Sequence, residues 1–235
     1  MRGPVALVGS GEFTAAMAAV DGDLLAATGR DRPRVAILPT ASWPDGRTVF
    51  ERWAELGSHH FGGLGAEVEA VLLRDRGDAD DDAHAQALSE ADLIYLSGGK
   101  PDHLLRSLQG SAAWAAIDAA HARGAVLAGC SAGAMVLAGR QVAFRGGKLP
   151  FPLRWADAFG VVPGAAVIPH YDAMPEAIVA TLTLQAPAGV VVLGIDEETA
   201  LVGRDGAWQV RGRGRVTVWR GRTRVRHRDG ATFRV

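Results

Sequence analysis

Residues 129–134, Gly-Cys-Ser-Ala-Gly-Ala, set Ser131 between two glycines. A Gly-x-Ser-x-Gly segment can form a sharp strand-to-helix turn that lifts the hydroxyl above a sheet edge, where it can attack a carbonyl. The flanks suit such a turn. Ala125–Ala128 is a short apolar run of the kind that makes a core strand, and Ala134–Ala138 is apolar enough to start a buried helix. The chemistry on offer is acyl transfer, which needs a base within hydrogen-bond reach and a third group to orient the base. Read without chemistry, the same residues are a tight turn with a serine helix cap.

Seven histidines are available as the base. His59, His60, His84, His103 and His121 fall on helices or adjoining loops and read as surface residues. His227 lies in an arginine-rich tail and reads as solvated. His170 differs, because it follows the apolar run Ala165–Pro169 and so stands at the mouth of a strand. Ligands and catalytic groups of open α/β sheets collect at such ends. The acid candidates are Asp157, Asp172, Glu176, Asp196, Glu197 and Glu198. The last three follow the buried-looking strand Val190–Ile195, where one of them could face a histidine. Cys130 sits one residue before the apex of the turn, so its side chain should point into the core. Gly9-Ser10-Gly11 hints at a dinucleotide loop, but Thr14 occupies the third glycine position. The acidic run Asp78–Asp82 lacks histidine or cysteine spacing and reads as a solvated loop rather than a metal site.

The elements that must position these groups alternate between strand and helix. Strands are expected at Val5–Val8, Val35–Leu38, Val68–Leu73 and Leu93–Leu96. Helices are expected over Thr48–Leu56, Ala83–Ala91, from Pro101, and over Ala112–Arg123, the last ending at Gly124. This alternation predicts a mostly parallel sheet with helices on both faces. After Val190, glycines punctuate short β-rich runs such as Val216–Trp219 and Thr223–Val225, which read as antiparallel hairpins. With 235 residues and neither linker nor repeat, residues 1–235 read as one domain. The chain is 48% hydrophobic and 22% charged with a net charge of −1, so no global field draws it to nucleic acid or anionic lipid. A single cysteine fits a reducing compartment, and the N-terminal apolar stretch is too short for a signal peptide. A cytoplasmic protein is expected.

Gly98-Gly99, the Gly129–Ala134 turn, Pro169-His170-Tyr171 and Gly194-Ile195-Asp196-Glu197 together resemble the serine peptidase family of aspartyl dipeptidase (peptidase E) and cyanophycinase. The similarity extends over nearly the whole chain, including Pro39–Ser42 and Ala91–Tyr95. It implies a glutamine-amidotransferase-like α/β fold, a three-layer sandwich around a mostly parallel sheet. By position, it implies Ser131 as nucleophile, His170 as base and Glu197 as acid, with the N–H groups of Gly99 and Ala132 as the oxyanion hole. It implies neither metal nor cofactor. Substrate contacts are expected from Gly98, Lys100, Tyr171, Asp172 and Glu176.

Two departures bear on specificity. Lys100 replaces the asparagine that usually follows the two glycines. The family's arginines downstream of the histidine are missing, since Tyr171–Gln185 contains neither arginine nor lysine. A small peptide is the expected substrate, with a neutral or basic residue before the scissile bond and Asp-X dipeptides cleaved poorly. Two other readings use the same residues. One is a catalytically idle binding or regulatory protein on this scaffold. The other is an α/β-hydrolase esterase, whose chain order would make His227 the base. Finally, Arg204–Val235 carries ten arginines against Asp205 and Asp229. Their alternation predicts a solvated basic strand face; the alternatives are a surface that meets acidic loops of a second copy of the chain or one that guides anionic substrates.

Overall fold

Fourteen strands and eight α-helices are present in a computed structural model, which describes residues 1–144 and 152–235. The strands are β1 (Val5–Val8), β2 (Arg34–Leu38), β3 (Glu67–Ala70), β4 (Leu93–Leu96), β5 (Val126–Cys130), β6 (Ala138–Val142) and β7 (Trp155–Asp157), followed by β8 (Val162–Ile168), β9 (Val191–Ile195), β10 (Thr199–Arg204), β11 (Ala207–Gly212), β12 (Arg215–Arg220), β13 (Thr223–Arg228) and β14 (Thr232–Arg234). The helices are α1 (Ala18–Ala26), α2 (Arg47–Gly63), α3 (Arg76–Ala79), α4 (Asp82–Glu90), α5 (Pro101–Leu108), α6 (Ala112–Ala122), α7 (Ala132–Leu137) and α8 (Glu176–Leu184).

The larger sheet runs β14-β11-β10-β1-β5-β4-β2-β3. Its right half, from β1 to β3, is parallel, while β10, β11 and β14 join as antiparallel neighbours. The parallel strands are near-continuous apolar runs because both their faces are covered. In β1 the period of two is explicit. Val5 and Leu7 pack with α5, α6 and α7, whereas Ala6 and Val8 face Phe13, Leu24 and Phe61 from the α1 and α2 side. Helices thus cover both faces, as the alternation of elements predicts.

A second sheet, β13-β12-β9-β8-β6-β7, is new relative to the sequence reading. One of its faces contributes Val167, Leu193 and Val216 to the core that α7 shares with the larger sheet. Its other face holds Ile168 and Val192 against Leu182 of α8. The C-terminal hairpins exist, but they divide between two sheets: β10 and β11 extend the larger one, and β12 and β13 extend the smaller one. Strands β8 and β9 lie parallel, so His170 and the 196–198 turn leave the same end of the smaller sheet. That end adjoins the carboxyl end of β5, so the segments that carry Ser131, His170 and Glu197 meet between the two sheets.

Candidate active site

Ser131 follows β5 and precedes α7, as the Gly-x-Ser-x-Gly reading requires. Its backbone is at φ 49° and ψ −107°, a conformation that costs a non-glycine residue about 1–3 kcal/mol and persists only when its surroundings enforce it. The two flanking glycines do the enforcing. A Cβ on Gly129 would come within 2.5 Å of the Gly133 backbone, and one on Gly133 within 2.2 Å of the Leu96 carbonyl oxygen. The turn is therefore folded onto itself and onto the end of β4. The Ser131 amide donates to the carbonyl of Val8 at 2.9 Å, which fixes the turn to β1 as well.

Ser131 Oγ stands 3.0 Å from His170 Nε2, and His170 Nδ1 stands 2.8 Å from Glu197 Oε1. A carboxylate only accepts, so the proton belongs on Nδ1, and Nε2 is left to accept from the serine hydroxyl. His170 occupies the left-handed region at φ 51°, which turns the ring back from the end of β8 towards the elbow. The turn that carries Glu197 is held in its own right: the Glu197 amide donates to Asp172 Oδ1 at 2.8 Å. Asp172 therefore fixes the backbone of the residue whose carboxylate meets the His170 ring. The His170 and Glu197 side chains are 41% and 46% exposed, so solvent screens their interaction.

Beside the serine, backbone amides divide into committed and uncommitted ones. Gly98 N–H donates to Glu12 Oε1 at 2.9 Å, and Lys100 N–H donates to the Ala41 carbonyl at 2.7 Å. Between them, the amide of Gly99 has no acceptor among the described residues, and neither has that of Ala132, the first residue of α7. Gly99 sits at φ 142°, and a Cβ there would lie 2.3 Å from the Ala41 oxygen, so only glycine fits. A cavity of 560 Å³ opens next to Ser131, Gly99 and Ala132. Its walls are mainly apolar, with Met135, Val142, Phe144, Ile168, Met174 and Leu182 among them. Lys100, Asp102, His103 and Arg106 supply the charged or polar contacts. Burial raises the Asp102 carboxyl above its ordinary value. Arg106 makes no salt bridge among the described residues.

The residues expected to touch substrate have divergent fates. Gly98 and Lys100 flank the uncommitted Gly99 amide, and the Lys100 ammonium is paired with Asp45 at 3.0 Å. Tyr171, Asp172 and Glu176 lie outside the cavity beside Ser131. The Tyr171 ring covers Gly194 and its hydroxyl accepts from Trp219 Nε1 at 2.8 Å, while Glu176 pairs with Arg224 at 3.1 Å. Their side chains are engaged within the protein: Tyr171 with Trp219, Asp172 with the Glu197 amide and Glu176 with Arg224.

Other expectations need correction. His60 and His121 are not surface residues: His60 Nε2 lies 2.8 Å from buried Asp21, and His121 is buried with Nδ1 3.0 Å from the Ala125 carbonyl. His103 faces the cavity. His227 lies on β13 with its ring stacked on Phe233 and burial depressing its pKa, so it is not the partner of Ser131. The acidic run 78–82 is largely exposed, as expected, but it is partly helical, at the end of α3 and the start of α4. Asp78 chelates Arg74, which holds its carboxyl at about 2, Asp80 pairs with Arg76, and Asp81 caps α4. Cys130 is fully buried, as expected, and its thiol donates to Glu12 Oε2 at 2.8 Å. Glu12 and Asp102 stand outside the residues expected from sequence. The available signals were an acid straight after the glycine turn that ends β1, and an acid in the first turn of a proline-started helix.

Comparison with known proteins gives this geometry a family. The model of peptidase family S51 matches residues 5–211. The chain belongs to peptidase family S51. Cyanophycinases of Synechococcus elongatus and Thermosynechococcus vestitus are each 30% identical over 193 residues. That match takes in 78% of this chain and 58% of theirs, so the chain aligns with little more than half the length of these curated relatives. A peptidase from an acI-B1 actinobacterium superposes with a TM-score of 0.88 at 31% identity, over 100% of this chain and 98% of the other. A putative peptidase E protein from Listeria monocytogenes superposes at 0.61 with 21% identity, over 97% and 99% of the two chains, and supports the fold.

Proposed function

We propose that this S51 protein is a serine peptidase that hydrolyses small peptides, with Ser131 as nucleophile, His170 as general base and acid, and Glu197 as the group that orients the imidazole. The observation that carries the reading is the continuous chain from Ser131 Oγ through His170 to Glu197 at 3.0 and 2.8 Å, opening on two uncommitted amides. Ser131 Oγ attacks the amide carbon while His170 Nε2 takes its proton. The N–H groups of Gly99 and Ala132 receive the oxyanion of the tetrahedral adduct. His170 then returns the proton to the leaving amine, and water releases the acyl group by the same steps in reverse order. The reading needs no metal or cofactor.

The apolar walls of the cavity favour a neutral side chain next to the scissile bond, because a carboxylate there would be desolvated unless it met Arg106, the lining cation without a salt bridge among the described residues. This agrees with the absence of arginine and lysine from Tyr171–Gln185. Among the described residues no helix is long and apolar enough to cross a membrane. With a lone buried cysteine, the reading assigns the enzyme to the cytoplasm. Labelling with a fluorophosphonate tests the chemistry, and a dipeptide library tests the substrate. The reading expects stoichiometric modification at Ser131, absent in Ser131→Ala, and cleavage of neutral dipeptides. A folded wild-type protein that takes no label and cuts no peptide is the binding or regulatory protein instead.

A further inference from the structure

We propose that Glu12 is a positioning residue that fixes the Gly98-Gly99 loop and the nucleophile turn relative to one another through a single buried carboxylate. The proposal rests on the peptidase reading above. Glu12 follows β1, is 7% exposed, and uses both its oxygens. Oε1 accepts from Gly98 N–H at 2.9 Å, and Oε2 accepts from the Cys130 thiol at 2.8 Å. The first bond reaches the loop after β4 and the second the residue before Ser131, so one side chain ties together the ends of two parallel strands. The thiol stays a donor, since burial and the neighbouring carboxylate push Cys130 well above the usual thiol range.

The bond to Gly98 bears directly on the oxyanion site. With the Gly98 amide drawn to Glu12 and the Lys100 amide drawn to the Ala41 carbonyl, the Gly99 amide is suspended between two anchored peptides. Nothing else among the described residues engages it. The space is also reserved: a Cβ on Gly98 would lie 2.7 Å from Glu12 Oε1 and 3.4 Å from Ser131 Cβ. Orientation matters here because an oxyanion donor is effective only when it is aimed before the charge develops.

The loop after β1 that carries Glu12 borders the third element of the site. A Cβ on Gly9 would lie 2.1 Å from the Asp196 carbonyl oxygen, and the Gly9 amide donates to the Thr199 carbonyl at 2.9 Å. Gly9-Ser10-Gly11 is thus shaped by close packing on the turn that carries Glu197, not by a nucleotide. Glu12 extends that contact to the other two loops. Glu12 makes no salt bridge among the described residues, and a buried carboxylate without a cationic partner is costly. Its position where three catalytic loops converge gives it a use that an apolar side chain could not serve.

The test compares Glu12→Ala, Glu12→Asp and Glu12→Gln with the wild type by thermal melting, by kcat and KM on a neutral dipeptide, and by the rate of fluorophosphonate reaction at Ser131. Glu12→Ala should lower kcat and the labelling rate by about 10²-fold, the scale of a lost oxyanion donor, with KM held within about threefold. Glu12→Gln keeps a carbonyl for the Gly98 amide and should recover to within about tenfold of the wild type. If the alanine variant does not fold, Glu12→Asp decides. It keeps the charge but is one methylene too short to span both donors, so kcat should fall about tenfold or more at unchanged KM. Wild-type rates in a folded Ala or Asp variant, with only the melting temperature lowered, overturn the proposal and leave Glu12 structural. A wild type that neither labels nor cleaves overturns the peptidase reading, and this proposal with it.

Discussion

Glu197→Gln measures how much the acid contributes in a site that is half open to water. The amide can still accept from His170 Nδ1, so the orientation of the ring survives, and what is lost is the attraction between carboxylate and imidazolium as Ser131 attacks. For unit charges about 4 Å apart this is about 1 kcal/mol in water and about 4 kcal/mol at an effective dielectric of 20. The nitrogen–oxygen distance is 2.8 Å and both side chains are over 40% exposed, which puts the pair towards the screened end. At about 1.4 kcal/mol per decade, the loss in kcat should lie between about 5-fold and 10³-fold. Ser131→Ala should cost about 10⁶-fold if the three residues act as a unit, and His170→Ala should match it. The assay is kcat on the best dipeptide, paired with the labelling rate at Ser131, which isolates attack from substrate binding. A Glu197→Gln variant as inactive as His170→Ala would refute the screening argument, and one with wild-type kcat would remove Glu197 from the mechanism.

His227→Ala should leave kcat within about twofold, because its ring packs on Phe233 rather than facing Ser131. A collapse of activity there would revive the esterase order of residues. In the library, extending a P1 alanine to leucine should raise kcat/KM by about 10–100-fold if the side chain enters the apolar cavity, and Asp-X peptides should rank low. Efficient Asp-X cleavage that survives both Lys100→Ala and Arg106→Ala would contradict that reading of the cavity. Asp78, held at about 2 by Arg74, contributes stability above the ordinary aspartate range that is lost as pH falls from about 4 towards 2. Asp78→Asn should therefore narrow the gap in melting temperature between pH 7 and pH 3, and an unchanged gap would show that the pair adds nothing. Reversing Arg222, Arg224 and Arg226 to glutamate should leave mass in solution and kcat/KM unchanged, at the expense of the Arg224 contacts with Glu176 and Trp219. A dimer that dissociates, or a loss of kcat/KM that added salt reproduces in the wild type, would identify a partner for that face.

The parallel half of the fold was legible because buried parallel strands must be apolar on both faces. Val5–Val8 and Leu93–Leu96 were located to the residue, and the elbow followed from the glycines on either side of Ser131. Helix α1 has no clear periodicity in sequence because Ala18–Ala26 sets a glycine and two aspartates, one of them buried, among its apolar residues. The smaller sheet was missed for a different reason. Strands β6 and β8 lie parallel though they are neighbours in sequence order apart from β7, and short, partly polar strands such as Trp155–Asp157 leave no pattern from which pairing could be deduced.

The site shows the same division between what is local and what is not. Ser131, His170 and Glu197 each stand at the end of an apolar run, so their types and positions point to them one at a time. The roles of Asp172, Tyr171 and Glu176 depend on the direction in which the chain leaves His170, and that is set by a left-handed residue that a sequence pattern does not reveal. Glu12 is the extreme case. It is 86 residues from Gly98 and 118 from Cys130, and it becomes meaningful only when β1, β4 and β5 are laid side by side. The candidate triad stands at the ends of elements, whereas Glu12, proposed to hold it in register, stands where elements meet. For such a residue a buried polar side chain with both its acceptors occupied is the physical signature, and it can be read only after folding has brought the donors together.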